Sequence, residues 1–258
     1  MIRVHDVWKK YGSLQVLKGL SLDINDGETL VILGRSGVGK SVLLRQIIGL
    51  ENPDKGYVEV DGIKIADIQK KARGEQVVKP MGMLFQGSAL FDSMDVGENV
   101  AFYLNQHEPE LTPKEVDERV EHALTMVGLE GTQRKMPSEL SGGMRKRAAL
   151  ARLIVYRPQI LLYDEPTTGL DPTTAMQINE LINKTKQELK STSVVVTHDI
   201  RSAMEVGDRL AFHYEGKIAQ IAPKDQFWKI DDPNIQEFFQ NGLIDHDTLN
   251  NLRKKEGA

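Results

Sequence analysis

Residues 34–41 read GRSGVGKS, a match to G-x-x-x-x-G-K-[ST], and this octet decides the fold. Before it stands a compact apolar run, Thr29 to Leu33, typical of a strand buried on both faces. After it, Leu43, Leu44, Ile47 and Ile48 fall on one side of a helix that Gly49 should stop. Strand, loop and helix in that order are the context the motif requires. The glycines let the backbone curl so that successive N–H groups face inward and bind phosphate oxygens, helped by the helix N-terminus. The expected cradle is Gly34, Arg35, Ser36, Gly37, Val38, Gly39, Lys40 and Ser41. Lys40 is expected to reach the β- and γ-phosphates of ATP, and the Ser41 hydroxyl to bind Mg²⁺. A chance match arises in roughly one chain in a hundred of this length at average composition. The flanking strand and helix lower that further, so this is read as a nucleotide site.

Working outward, Ile2, Val4 and Val7 open one strand, and Val16, Leu17, Leu20, Leu22 and Ile24 suggest a second before the Asn25-Asp26-Gly27 turn. Tyr57 to Val60, Asp61-Gly62 and Ile63 to Ile65 read as a tight hairpin, because Asp-Gly supplies the positive φ values of that turn. Thr112-Pro113-Lys114-Glu115 reads as a capping box with proline at the first helical position. Val116, Val120, Ala123, Leu124 and Val127 follow on one face, and Gly128 closes that helix. A helix from about Gly142, a strand Ile160 to Tyr163, a helix around Ile178, Leu181 and Ile182, and a strand Ser193 to Thr197 complete the pattern. Strands alternating with helices predict an α/β fold with a mainly parallel sheet covered on both faces. The sequence therefore predicts a P-loop NTPase core with an N-terminal antiparallel β subdomain and a helical subdomain inserted at about 87–157.

Other residues point at the same sheet edge. ILLYDE, residues 160–165, is an apolar strand ending in Asp164, where a carboxylate can contact Mg²⁺. Glu165 is placed to orient or deprotonate the attacking water; the plainer reading is that Asp164-Glu165 caps the next turn. His198 follows the strand SVVVT and is read as a γ-phosphate contact. Gln86 ends the short run Met83 to Phe85 and is a candidate metal or water contact. In LSGGMRKR, residues 140–147, Ser141 is a good N-cap, and Gly142 and Gly143 leave the helix start bare to attract an anion. Arg145, Lys146 and Arg147 add positive charge there or form a solvated helix face.

With these residues the chain resembles the ABC ATPase family over nearly its whole length, as a single domain at 1–242 followed by a tail at 243–258. GRSGVGKS is similar to that family's Walker A loop, Gln86 to its Q-loop, LSGGM to its signature and ILLYDE to its Walker B. Gly169 to Asp171 resembles the D-loop, His198 the switch histidine, and Tyr11 the aromatic residue that stacks on adenine. The resemblance implies ATP hydrolysis by a homodimer, in which Ser141 and Gly143 of one chain bind the γ-phosphate held by the other. Asp171 would then lie at the nucleotide, and catalysis would rest on Glu165, His198 and Gln86. It also implies integral-membrane permease partners, with a coupling helix received near residues 86–99. Phe91 and Met94 read equally as exposed anchors there or as internal packing; Ile235, Phe238 and Phe239 read as packing on the parent domain.

Most such cassettes have glutamine where this chain has Met144. Methionine followed by basic residues is similar to the Mla/Mce-type ATPases that drive phospholipid or related lipid transport in bacterial envelopes. GKSVLLRQIIGL, FQGSALFDSMDVGENVAF and DPNIQEFFQNG resemble that group too. The resemblance implies an MCE-domain substrate-binding partner and a peripheral place on the cytoplasmic face of the inner membrane. An amino-acid or methionine importer cassette is the main competitor.

Bulk properties narrow the field. The 258 residues are 40% apolar and 27% charged, a globular balance. A formal charge of −4 argues against nucleic acid as main partner. No cysteine is present, which removes disulfides, thiol catalysis and Cys-ligated zinc. MIRVHDVWKKYG lacks an apolar h-region, so no signal peptide is expected. Chromosome-structure ATPases insert long heptad coiled coils before the signature, which this chain lacks, and translation factors of the family carry two cassettes.

Overall fold

The computed structural model describes residues 1–70 and 81–242. The tail at 243–258 lies outside the described residues. Strand β1 (Ile2–Tyr11) pairs antiparallel with β2 (Leu14–Ile24). Its inward residues run Ile2, Val4, Val7, a spacing that departs from strict alternation because Asp6 adopts a left-handed φ of 44° and the register shifts there. Strand β3 (Thr29–Leu33) leads to α1 (Lys40–Ile47), and β4 (Lys55–Val60) returns to β1. The Asp61-Gly62 turn has φ of 50° and 82°, the two positive values expected. The hairpin is shorter than its sequence suggests: β5 is only Ile63–Lys64, and buried Ile65 begins helix α2 (Ile65–Lys70) instead of extending the strand.

After β6 (Met81–Leu84) come α3 (Val96–His107), α4 (Pro113–Met126) and α5 (Gly142–Ile154), the helical insertion. Asp95 with Glu98 and Thr112 with Glu115 form capping boxes at the first two, each closing two orphan backbone donors. The core then resumes with β7 (Ile160–Asp164), α6 (Pro172–Leu189), β8 (Thr192–Thr197), α7 (Ile200–Val206), β9 (Arg209–Tyr214), β10 (Lys217–Pro223), α8 (Lys224–Phe227) and α9 (Pro233–Gly242).

Among the described residues the strands form two sheets, ordered β2-β1-β4-β5 and β10-β9-β3-β8-β7-β6. The second is parallel from β9 through β6, with β10 antiparallel at its edge. Its central strands β3, β7 and β8 are buried on both faces, as the apolar runs predict, whereas the edge strand β10 is partly exposed. Val31, Leu33, Leu161, Tyr163 and Val195 pack against the helices. The alternate residues Leu30, Ile32, Ile160, Leu162, Val194 and Val196 pack against α1 and the antiparallel sheet. Ile235, Phe238 and Phe239 are buried in the first of these layers, so α9 packs on its own domain. The parallel strands all end at one edge, where a doubly covered sheet binds its ligands.

Candidate nucleotide site

Four loops meet at that edge around a cavity of about 360 Å³, whose lining includes Tyr11, Lys40, Ser41, Gln86, Glu165 and His198. These residues are distant in sequence: β3, β8, β7 and β6 end side by side and bring Lys40, Ser41, Gln86, Glu165 and His198 together, and Tyr11 comes from the end of β1 in the other sheet.

The phosphate loop is shaped by its glycines. Gly37 and Gly39 have φ of 78° and 105°, and Gly39 caps α1 without any side-chain hydrogen bond, so the helix start presents bare N–H groups. A Cβ on Gly39 would stand 2.5 Å from Val16 Cγ1, and one on Gly34 would stand 2.6 Å from the His213 carbonyl oxygen. Lys40 is buried and donates to the carbonyls of Gly34 and Arg35, both at 2.9 Å. Burial holds its ammonium below the usual lysine range against the pull of Glu165, whose Oε1 lies 3.3 Å away. Arg35 sends its guanidinium outward to Glu237 on α9, 2.6 Å away, and Val38 lines a neighbouring pocket. Their side chains therefore leave the cradle, and only their main chain remains in it.

Ser41 Oγ donates to Asp164 Oδ1 at 2.7 Å. Burial raises the Asp164 carboxyl above the usual range despite that bond. A hydroxyl and a carboxylate at the mouth of a phosphate loop, beside the Gln86 amide, are the hard oxygen donors that suit Mg²⁺. Among the described residues no group of three or more His, Cys, Asp or Glu offers a self-sufficient metal cage.

Glu165 does more than cap a turn. Its backbone is left-handed, with φ of 49°, and its N–H is tied to the Val196 carbonyl at 3.0 Å. This aims the buried carboxylate into the cavity. Oε2 accepts from Thr168 Oγ1 at 3.0 Å and lies 2.8 Å from His198 Nδ1. Strain of this kind in a non-glycine residue persists where surrounding bonds over-determine it. Tyr11 lies at the open end, half-exposed, its hydroxyl donating to Glu51 and Lys9 standing 5.6 Å from its ring centroid. Partial burial and the Glu51 bond push its phenol up to about 12.

The remaining expected residues stand apart from this cavity. Ser141 caps α5 by accepting from the Met144 N–H at 3.3 Å, and Gly142 and Gly143 start the helix. Gly143 is required by packing: a Cβ there would stand 2.6 Å from Thr174 Cγ2. Asp171 caps α6, accepting from Thr174 N at 3.0 Å and Thr174 Oγ1 at 2.6 Å. Four residues that line the cavity were not among the site residues expected from the sequence: Val16, Val42, Arg45 and Thr168. Only Thr168 carried a signal, a hydroxyl three residues after Glu165. The basic run after the signature divides. Arg145 is exposed and Arg147 half-exposed, donating to the carbonyls of Leu140 and Gly128, whereas Lys146 is buried and donates to the Gln86 carbonyl.

Comparison with known proteins fits this geometry. A family model described as ABC transporter matches residues 17–168. The chain is 38% identical over 243 residues to the "Probable ribonucleotide transport ATP-binding protein mkl" of Mycobacterium leprae, covering 94% of this chain and 70% of that one. It is 38% identical to the chloroplastic protein TRIGALACTOSYLDIACYLGLYCEROL 3 of Arabidopsis thaliana, covering 94% and 74%. It is 36% identical to the methionine import ATP-binding protein MetN of Clostridium tetani, covering 99% and 85%. Among solved structures it resembles the dimeric ATP-binding cassette MJ0796 bound to ADP and Pi, at a TM-score of 0.77 and 33% identity, covering 87% and 99%. With a phosphate loop, a buried carboxylate pair and a histidine converging at one sheet edge, the chain belongs to the ABC transporter family and is the ATP-hydrolysing subunit of a transporter.

Proposed function

We propose that this subunit powers lipid transport of the Mla/Mce type, from the cytoplasmic face of the inner membrane, beneath a permease and with an MCE-domain protein as substrate-binding partner. The observation that carries the substrate class is Met144. Where most cassettes place a polar glutamine, this side chain is half-buried against the helical core, while the Ser141-Gly142-Gly143 start stays open. The Arabidopsis relative, named for a galactolipid, supports a lipid cargo. A small-solute importer is the second reading, favoured by the Clostridium methionine relative at similar identity. Among the described residues no helix is long and apolar enough to cross a membrane.

In this reading Tyr11 stacks on adenine and the loop from Gly34 to Ser41 wraps the phosphates, with Lys40 leaving Glu165 for the γ-phosphate. Ser41, Asp164 and Gln86 would hold Mg²⁺, which would supply neutralisation of phosphate charge. Glu165 orients and deprotonates the attacking water, and His198, held by the same carboxylate, contacts the γ-phosphate. Ser141, Gly143 and Asp171 act across a homodimer. Supporting that, none of the three lines the cavity of its own chain, and a bare helix start such as Gly142-Gly143 is an anion site.

The test is a tagged pull-down from gently solubilised membranes with mass spectrometry of proteins and lipids. A permease recovered with an MCE-domain protein and phospholipid is the expected result. A permease recovered with a small-solute binding protein overturns the lipid reading and leaves the ATPase mechanism standing.

A further inference from the structure

Helix α5 starts at the Ser141–Gly143 end and sends two cations to the segment that follows β6. Lys146 is 5% exposed, and its ammonium donates to the main-chain carbonyl of Gln86. The carboxylates of Asp164 and Glu165 also attract it electrostatically. Further along the helix, Arg152 Nη2 donates to the Ser88 carbonyl at 3.1 Å. At the second anchor and just beyond it the chain is strained, because Ser88 and Ala89 hold left-handed φ values of 66° and 51° without being glycine. Burying an ammonium is unfavourable unless its hydrogen bonds are met, and strained turns survive only where neighbours hold them. Both features are explained if α5 grips this turn.

We propose that Lys146 is a positioning residue for ATP hydrolysis. By holding the Gln86 main chain, with Arg152 holding Ser88, it sets where the Gln86 side chain stands beside Asp164 and Glu165. It also ties Gln86 to the Ser141–Gly143 end of the same helix, so that an anion docking at that end is felt at Gln86. The inference rests on the assignment of Gln86 to the metal or attacking water.

The test uses the full-length protein purified with its membrane partner, titrating ATP and Mg²⁺. Lys146→Met removes the donor that holds the Gln86 carbonyl, and kcat should fall roughly tenfold, with little change in KM for ATP and a higher Mg²⁺ requirement. Lys146→Arg should recover most of the rate. In a Gln86→Ala background, Lys146→Met should add no further loss, since residues acting through one another are non-additive. Unchanged turnover in Lys146→Met, or losses that multiply in the double variant, overturns the proposal. Slow Gln86→Ala beside unaffected Lys146→Met rejects the positioning role alone. Wild-type turnover in Gln86→Ala rejects the Gln86 assignment and the positioning role together. Should thermal melting show Lys146→Met unfolded at the assay temperature, Lys146→Leu, which also lacks the donor, is read by the same criteria at a temperature where melting shows it folded.

Discussion

Glu165 is held by four groups at once: the Val196 carbonyl fixes its backbone, and Thr168, His198 and Lys40 surround its carboxylate. A side chain so constrained is held toward one point in the cavity. Glu165→Gln should keep ATP binding, lower turnover by about 10²–10⁴-fold, and let ATP-bound dimers accumulate. Steady-state hydrolysis and light scattering with ATP would read this, and turnover near the unaltered rate would reject the role. At this scale the motifs were legible because each function needs one residue type at one place in a strand–loop–helix sequence. Lys40, Ser41 and His198 line one cavity, and Asp164 is bonded to Ser41 beside it. Lys146 was not legible, since a basic residue after a helix start looks solvated until the Gln86 carbonyl is seen beside it.

Among the elements, β9 has a feature that its pattern does not announce. Its interior position His213 is buried behind the phosphate loop, near Gly34, where burial and the Lys40 charge lower its pKa to about 4. The unfolded chain takes up a proton near pH 6.5 and the folded chain does not until about pH 4. This contribution to stability is therefore intact above pH 6.5 and lost as pH falls through that window, on the order of 3 kcal/mol in all. Urea unfolding at several pH values should show His213→Leu with a shallower acid-side loss than the unaltered protein. Identical slopes would reject the assignment. Element ends were readable where local chemistry sets them, as at the Thr112–Glu115 capping box and the Asp61-Gly62 turn. The strand after that turn was not, because Ile65 serves a helix as readily as a strand and burial decided the matter.

For the whole molecule, the consequence is that one chain holds its phosphate loop and its signature helix in separate places. If Ser141 acts across a dimer, Ser141→Arg and Lys40→Ala should each be nearly inactive alone. A mixture of the two should regain part of the rate, because one composite site per mixed dimer stays intact. Absence of recovery in mixtures would place Ser141 outside the active site of the partner. The sequence by itself determined the P-loop, the alternation of strands and helices, and the residue types at the sheet edge, because each depends on spacing and backbone chemistry within a few residues. Only the tertiary structure decided that Lys40, Ser41, Glu165 and His198 share one cavity, that Arg35 turns away to Glu237, and that Lys146 is buried against Gln86. Those outcomes follow from which strands lie side by side and which side chains the packed helices shut from water, and neither is a property of any short stretch of chain.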